Sequence, residues 1–210
     1  MINITKYASK TMDVNSYVLA KENKALIIDP AFNGKKILDH CHNYNLEIKK
    51  IILTHGHYDH IAELEELIVN NEVEVYIHAD EKDFLYNPNL NLSSMFKKDF
   101  VLKKDCKLQF VQDKEKIEFV KETLEVIHLP GHTKGSMGII YNQHFFAGDT
   151  LFFDSIGRTD LPTGNNGQIY ASLKKIKQYL PKNATVYPGH GKGGKLSDIL
   201  KVNQYLNNLY

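Results

Sequence analysis

The chain has 210 residues, of which 42% are hydrophobic and 24% charged, a globular composition with room for one large domain core. Lys plus Arg number 26 against 25 Asp plus Glu, so no basic excess exists to grip a phosphate backbone, and nucleic acid is not an expected partner. Cys41 and Cys106 form no CxxC pair, which argues against a disulfide framework.

In chain order, Tyr17-Val18-Leu19 and Ala25-Leu26-Ile27-Ile28 read as short strands joined by a hairpin at Lys21–Lys24. Residues 34–44 have helical apolar spacing (Ile37, Leu38, Cys41, Tyr44). Lys50-Ile51-Ile52-Leu53 is a buried-strand pattern that runs into Thr54-His55. A helix is predicted over 60–70, a strand over Val73–Ile77 and a short helix over Asp80–Tyr86, followed by an irregular connector from Asn87 to Lys104. Strands follow near 108–111, 117–120 and 124–128. Met137–Tyr141 and Phe145–Ala147 make a second hairpin turning at Asn142-Gln143. After a glycine-containing loop over 154–167 come a helix at 168–179, a strand at Thr185–Tyr187 and a helix at 195–207. Strands and helices interleave to the end without linker or repeat, which predicts one mixed α/β domain over 1–210. Met1–Ser9 lacks the charged-then-apolar pattern of a secretory leader, and no apolar run approaches the ~20 residues needed to span a bilayer. The cytoplasm is the expected location, with no membrane partner. Nothing in the sequence sets an oligomeric state.

The chemistry concentrates in the strand-end loops. His55, His57, Asp59 and His60 fall within six residues, just past a strand and at the start of a helix. His132, Asp149 and His190 each follow a glycine and an apolar run. Imidazoles and carboxylates suit zinc first, with iron or manganese as alternatives. Seven donors exceed one tetrahedral ion and suit two divalent ions sharing a carboxylate, a centre that yields a bridging hydroxide nucleophile at neutral pH. No GxSxG serine-nucleophile motif is present. Asp59 is in addition a candidate to orient the attacking hydroxide. Tyr58, Arg158 and Asp160 are candidate substrate contacts, the last two alternatively an ion pair that pins its loop. Asp29 is read either as a partner of Thr54 or of a ligand, or as a turn residue before Pro30. His40, His42, His78, His128 and His144 match no ligand position and are read as structural or surface residues.

These residues resemble the metallo-β-lactamase superfamily. Thr54-His55-Gly56-His57-Tyr58-Asp59-His60 matches its first signature, and Gly131-His132-Thr133, Gly148-Asp149 and Gly189-His190 follow in its order. Asn15-Ser16-Tyr17 and Ile28-Asp29-Pro30 are similar to its opening hairpin. Asn87-Pro88, Asn91-Leu92-Ser93 with Phe96, Gly148–Phe152 and Ser155-Ile156-Gly157-Arg158-Thr159-Asp160 resemble its glyoxalase II-like, short bacterial members. The resemblance implies a four-layer αβ/βα sandwich of two mixed sheets flanked by helices, with the site at one sheet edge. It implies one ion on His55, His57 and His132, a second on Asp59, His60 and His190, and Asp149 as the bridge. It also implies hydrolysis of a small acyl-thiol. An iron-dependent persulfide dioxygenase, its iron at positions matching His55, His132 and Asp149, and a lactonase are the alternatives within this fold. The longer glyoxalase II enzymes carry a C-terminal helical region with glutathione contacts, whereas this sequence ends at Tyr210. The resemblance, to hydroxyacylglutathione hydrolases in particular, therefore leaves the thiol portion open between glutathione and another thiol. Lys134 stands where the family usually has proline.

Overall fold

A computed structural model describes residues 1–70, 72–207 and 209. The chain divides into two compact units, Met1–Val111 with Phe119–Lys121, and Gln112–Glu118 with Glu122–Tyr210.

The first unit is built on a six-stranded sheet in the order β1 (Asn3–Ala8), β2 (Asn15–Lys21), β3 (Lys24–Ile28), β4 (Glu47–Ile52), β5 (Glu74–His78) and β6 (Lys107–Val111). The first three strands form an antiparallel meander, and β3 to β6 run parallel. Parallel neighbours need crossover connections. Here these are α1 (Gly34–Asn43), the short α2 (Tyr58–Ile61) with α3 (Leu64–Leu67), and two 3₁₀ turns at Ala79–Leu85 and Ser93–Phe96. Alternate strand residues (Ala25 and Ile27, Ile51 and Leu53, Val75 and Ile77) join Ile37 and Cys41 of α1 and Leu64 and Leu67 of α3 in one buried cluster. The period of two fixes which face meets the helices.

The second unit carries a six-stranded sheet in the order β12 (Gly194–Lys195), β11 (Thr185–Pro188), β10 (His144–Gly148), β9 (Met137–Tyr141), β8 (Glu122–His128) and β7 (Lys116–Phe119). α4 (Asn166–Tyr179) makes the crossover between the parallel β10 and β11, and α5 (Leu196–Val202) and α6 (Gln204–Asn207) close the chain. The Asn165 side chain caps α4 by accepting from the Gln168 amide. Leu173 and Ile176 of α4 and Ile199 of α5 pack with Ile127, Phe145, Ala147 and Val186.

Both predicted hairpins are present, with β2/β3 and β9/β10 antiparallel. Two predicted helices are broken. That over 60–70 stops at Ile61 and restarts at Leu64, because Glu63 is bound elsewhere: its amide donates to Ala31 O and its carboxylate accepts from the Gly34 amide at 2.5 Å. That over 195–207 breaks at Asn203. Its side-chain amide donates to Phe152 O and Ser155 O, and its oxygen accepts from the Tyr205 and Leu206 amides. The predicted helix at 80–86 is 3₁₀. Strands β1 and β12 were not expected. β1 is a partly exposed strand at the end of its sheet, and β12 has two residues. No helix among the described residues is long and apolar enough to cross a membrane.

This topology decides where loops gather. Since β3, β4 and β5 are parallel, the segments after Ile28, Ile52 and His78 leave the same edge of the first sheet. In the second, β8 and β10 are both antiparallel to β9, and β11 is parallel to β10, so the segments after His128, Gly148 and Pro188 also share an edge. Ligand sites in parallel α/β arrangements form beyond such carboxyl ends.

Candidate metal centre

In the first unit, β4 runs into Thr54-His55-Gly56-His57, and α2 carries Tyr58, Asp59 and His60. His55, His57 and His60 are all buried, and the Asp59 side chain is 14% exposed. The His55 ring centroid lies 4.8 Å from that of His57 and 4.2 Å from that of His60. Asp59 Oδ2 is 3.8 Å from His60 Nε2.

Asp29, at the end of β3, organises this group. Its Oδ1 accepts from the Thr54 amide (2.8 Å), and its Oδ2 accepts from the Thr54 hydroxyl (2.7 Å) and from His60 Nδ1 (2.9 Å). Thr54 Oγ1, its own proton given to Asp29, lies 3.2 Å from His55 Nδ1 and accepts from it. Both imidazoles are thereby held as the tautomer protonated on Nδ1, which leaves Nε2 as the ligating atom. Of the two readings of Asp29, the structure shows the one that reaches Thr54 and a candidate ligand. Its φ of 50° is one that Asp tolerates better than most residues.

Glu81, fully buried on the 3₁₀ turn after β5, accepts from the Gly56 amide at 2.8 Å and so grips the turn between His55 and His57. Sequence reasoning missed it. Its signal was the spacing Glu81, Phe84, Leu85, which places an acidic side chain on the buried stripe of that turn.

In the second unit, Asp149 Oδ2 lies 3.6 Å from His132 Nε2 and 3.3 Å from His190 Nε2. His132 Nδ1 donates to the Arg158 carbonyl (2.8 Å), which again commits Nε2 to the donor group. Gly131 and Gly148, preceding His132 and Asp149, take positive φ (139° and 49°). The residues that deliver the carbonyl are crowded: a Cβ on Gly157 would overlap the Asp149 carbonyl oxygen and lie 3.1 Å from His132 Nδ1. Gly157→Ala is therefore expected to destabilise by at least about 3 kcal/mol, a fall in Tm of roughly 6–12 °C. A thermal melt checks this. A Tm within 2 °C of the parent (about 1 kcal/mol or less) would mean the loop relaxes freely.

These residues fit metal ions. Two ligand atoms held about 2.1 Å from one ion at the tetrahedral angle lie about 3.4 Å apart. The donor separations around Asp149 bracket that figure. Buried imidazoles oriented from behind by a carboxylate and a backbone carbonyl are the usual support of metal ligands.

Arg158 and Asp160 form a two-pronged ion pair (both contacts 2.7 Å) with side chains 63% and 66% exposed. The guanidinium holds the Asp160 carboxyl down at about 2. This arrangement favours pinning of the loop whose carbonyl supports His132. Tyr58 packs its ring against Phe32, Phe96 and Phe100, and burial raises its hydroxyl pKa. The remaining histidines have other partners or surroundings: His40 bonds Tyr7 Oη, His144 bonds Tyr187 Oη, His128 bonds Lys134 O, His78 accepts from the Asp80 amide, and His42 is exposed.

Comparison with known proteins agrees on one family. Residues 10–190 match the profile described as "Metallo-beta-lactamase superfamily". The chain is 31% identical over 198 residues to the "Probable metallo-hydrolase YqgX" of Bacillus subtilis (strain 168), covering 93% of each. It is 29% identical to the "Hydroxyacylglutathione hydrolase GloC" of Haemophilus influenzae, covering 91% of this chain and 92% of that one. Among solved structures, the BLEG-1 B3 metallo-beta-lactamase superposes with a TM-score of 0.90 at 29% identity, over 98% of this chain and all of that one.

Proposed function

The chain belongs to the metallo-β-lactamase superfamily, and from that premise we propose that it is a metal-dependent hydrolase of small thioesters, of glyoxalase II-like type. The observation that carries this reading is the single carboxylate of Asp149 flanked by His132 and His190 nitrogens at ligand spacing. In this reading both units act as one catalytic domain. His55, His57 and His132 would hold one divalent ion, Asp59, His60 and His190 would hold the second, and Asp149 would serve both. Zinc is the first choice for an all-imidazole and carboxylate set. Two such ions, when bound, would supply a nucleophile at neutral pH and Lewis-acid stabilisation of the carbonyl oxygen.

The chain's own residues do the rest. Asp29, through Thr54 and His60, fixes the ligating tautomers, Glu81 holds the turn between His55 and His57, and the Arg158 carbonyl fixes His132. Asp59, whose carboxylate is partly exposed, orients the attacking water and holds its proton. A thiol leaving group has a pKa of about 8.5 and departs as thiolate, so no strong general acid is required. The likeness to a hydroxyacylglutathione hydrolase over nine-tenths of both chains supports a thioester substrate.

The test is a substrate panel on metal-replete protein: S-lactoylglutathione, other acyl-thiols, a β-lactam, a lactone and glutathione persulfide with an oxygen electrode. Acyl-thiol cleavage is expected. Inertness towards every acyl-thiol would remove the substrate assignment, and oxygen uptake with one iron per chain would replace it with the dioxygenase reading.

A further inference from the structure

The connector between β5 and β6 holds apolar side chains out of the core at a conformational cost. The 3₁₀ turn Ser93–Phe96 is flanked by Leu92 (φ 67°) and Lys97 (φ 54°), both in the left-handed region that side chains of this size disfavour. A buried network enforces the turn. Asn91 donates to Phe84 O and Phe100 O and accepts from the Ser93 amide, and Ser93 Oγ accepts from the Phe100 amide. The product of this bracing is a turn that presents Met95 at 73% and Phe96 at 44% exposure. The same turn is fastened to the donor motif, since Tyr58, between His57 and Asp59, donates its amide to Asn91 O at 2.7 Å. The Phe96 ring lies 5.6 Å from that of Tyr58, which stands edge-on to Phe32 at 5.7 Å. A partly exposed shelf of Met95, Phe96, Tyr58 and Phe32 thus runs from the turn to the residue next to Asp59.

We infer that this shelf is the subsite for an apolar acyl chain, so that the substrates are thioesters of hydrocarbon acids. The inference rests on the thioester reading above and deepens it. Three features support it. Core packing does not need Met95 or the exposed face of Phe96. A strained and internally braced turn is the rigid mount that a specificity element requires. The shelf reaches Tyr58, which lies in sequence between His57 and Asp59, two of the residues proposed to hold the metals. Each methylene laid on such a surface contributes up to the transfer free energy of one buried CH₂ group, which corresponds to about two- to fourfold in kcat/KM.

The experiment compares S-acyl derivatives of one small thiol, from acetyl to hexanoyl, on metal-replete protein. An increase in kcat/KM of about two- to fourfold per methylene is expected. In the double variant Met95→Ala/Phe96→Ala the dependence on chain length should flatten. Val69→Ala, an exposed apolar position elsewhere in the first unit, should keep the parental slope. No chain-length dependence in the parent, an unchanged slope in the double variant, or a slope that follows an alkyl group on the thiol side would each overturn the assignment. A separate arm measures binding of non-hydrolysable alkyl thioethers of increasing length to metal-free protein by methyl NMR. Length-dependent binding that is lost in the double variant would uphold the shelf even if no thioester were cleaved, whereas cleavage without length-dependent binding would uphold the reaction and refute the shelf.

Discussion

Replacing Asp149 with alanine is expected to lower kcat/KM towards thioesters by about 1000-fold or more and to lower metal content with it. The side chain is buried, and the Nε2 atoms of His132 and His190 lie on either side of one of its oxygens. Removing it takes away the only carboxylate proposed for both ions. It also leaves the buried His132 and the partly exposed His190 without the negative charge that lies close to both. Asp149→Asn keeps the shape and loses the charge, so it should retain the fold and still lose most of the metal. Metal analysis and kinetics on the same preparations check this, with circular dichroism as the control for folding. A folded Asp149→Ala protein that keeps its full metal complement and turns over would refute the shared-carboxylate assignment.

Asp29→Ala should have the second largest effect, and on two readouts at once. The carboxylate accepts three hydrogen bonds in a buried site. Its loss leaves the Thr54 amide, the Thr54 hydroxyl and His60 Nδ1 without their acceptor, at about 1–3 kcal/mol for each buried polar group. A net loss of about 3–5 kcal/mol is expected, a fall in Tm of roughly 10 °C. Metal affinity should fall about 10–100-fold, because His55 and His60 lose the bonds that fix their tautomers. Asn also tolerates positive φ, so Asp29→Asn separates backbone strain from hydrogen bonding. It can keep the acceptor for the Thr54 amide, while its amide nitrogen cannot accept from His60. An intermediate loss of affinity with most of the stability retained is the expected pattern. Equal losses in both variants would assign the effect to the carboxylate charge alone.

The parts of this molecule that were legible in the sequence are those that local pattern controls. Ile51-Ile52-Leu53 announced a buried strand, the polar Lys21–Lys24 a hairpin turn, and the Ile37, Leu38, Cys41 spacing a helix. Strand-end positions also drew attention to His55, His57, Asp59 and His60, and to His132, Asp149 and His190, which the structure gathers into two compact clusters, one in each unit. What was not legible depends on distant partners. Glu63 and Asn203 interrupt helices because their side chains bind backbone 29 and about 50 residues away. Apolar spacing continues through both interruptions, so periodicity alone could not reveal them. Glu81 is separated from Gly56 by 25 residues, and only the parallel order of β4 and β5 brings their loops to one edge. The Arg158 carbonyl is a backbone group, and no residue identity could have marked it as the support of His132.

The proposed activity is two-ion hydrolysis of a thioester. Its most direct test is to titrate metal-free protein with zinc while following hydrolysis of an acyl-thiol. Activity is expected to rise until two equivalents are bound and then to stop rising. Saturation at one equivalent, or full metal loading with no hydrolysis of any acyl-thiol, would contradict it.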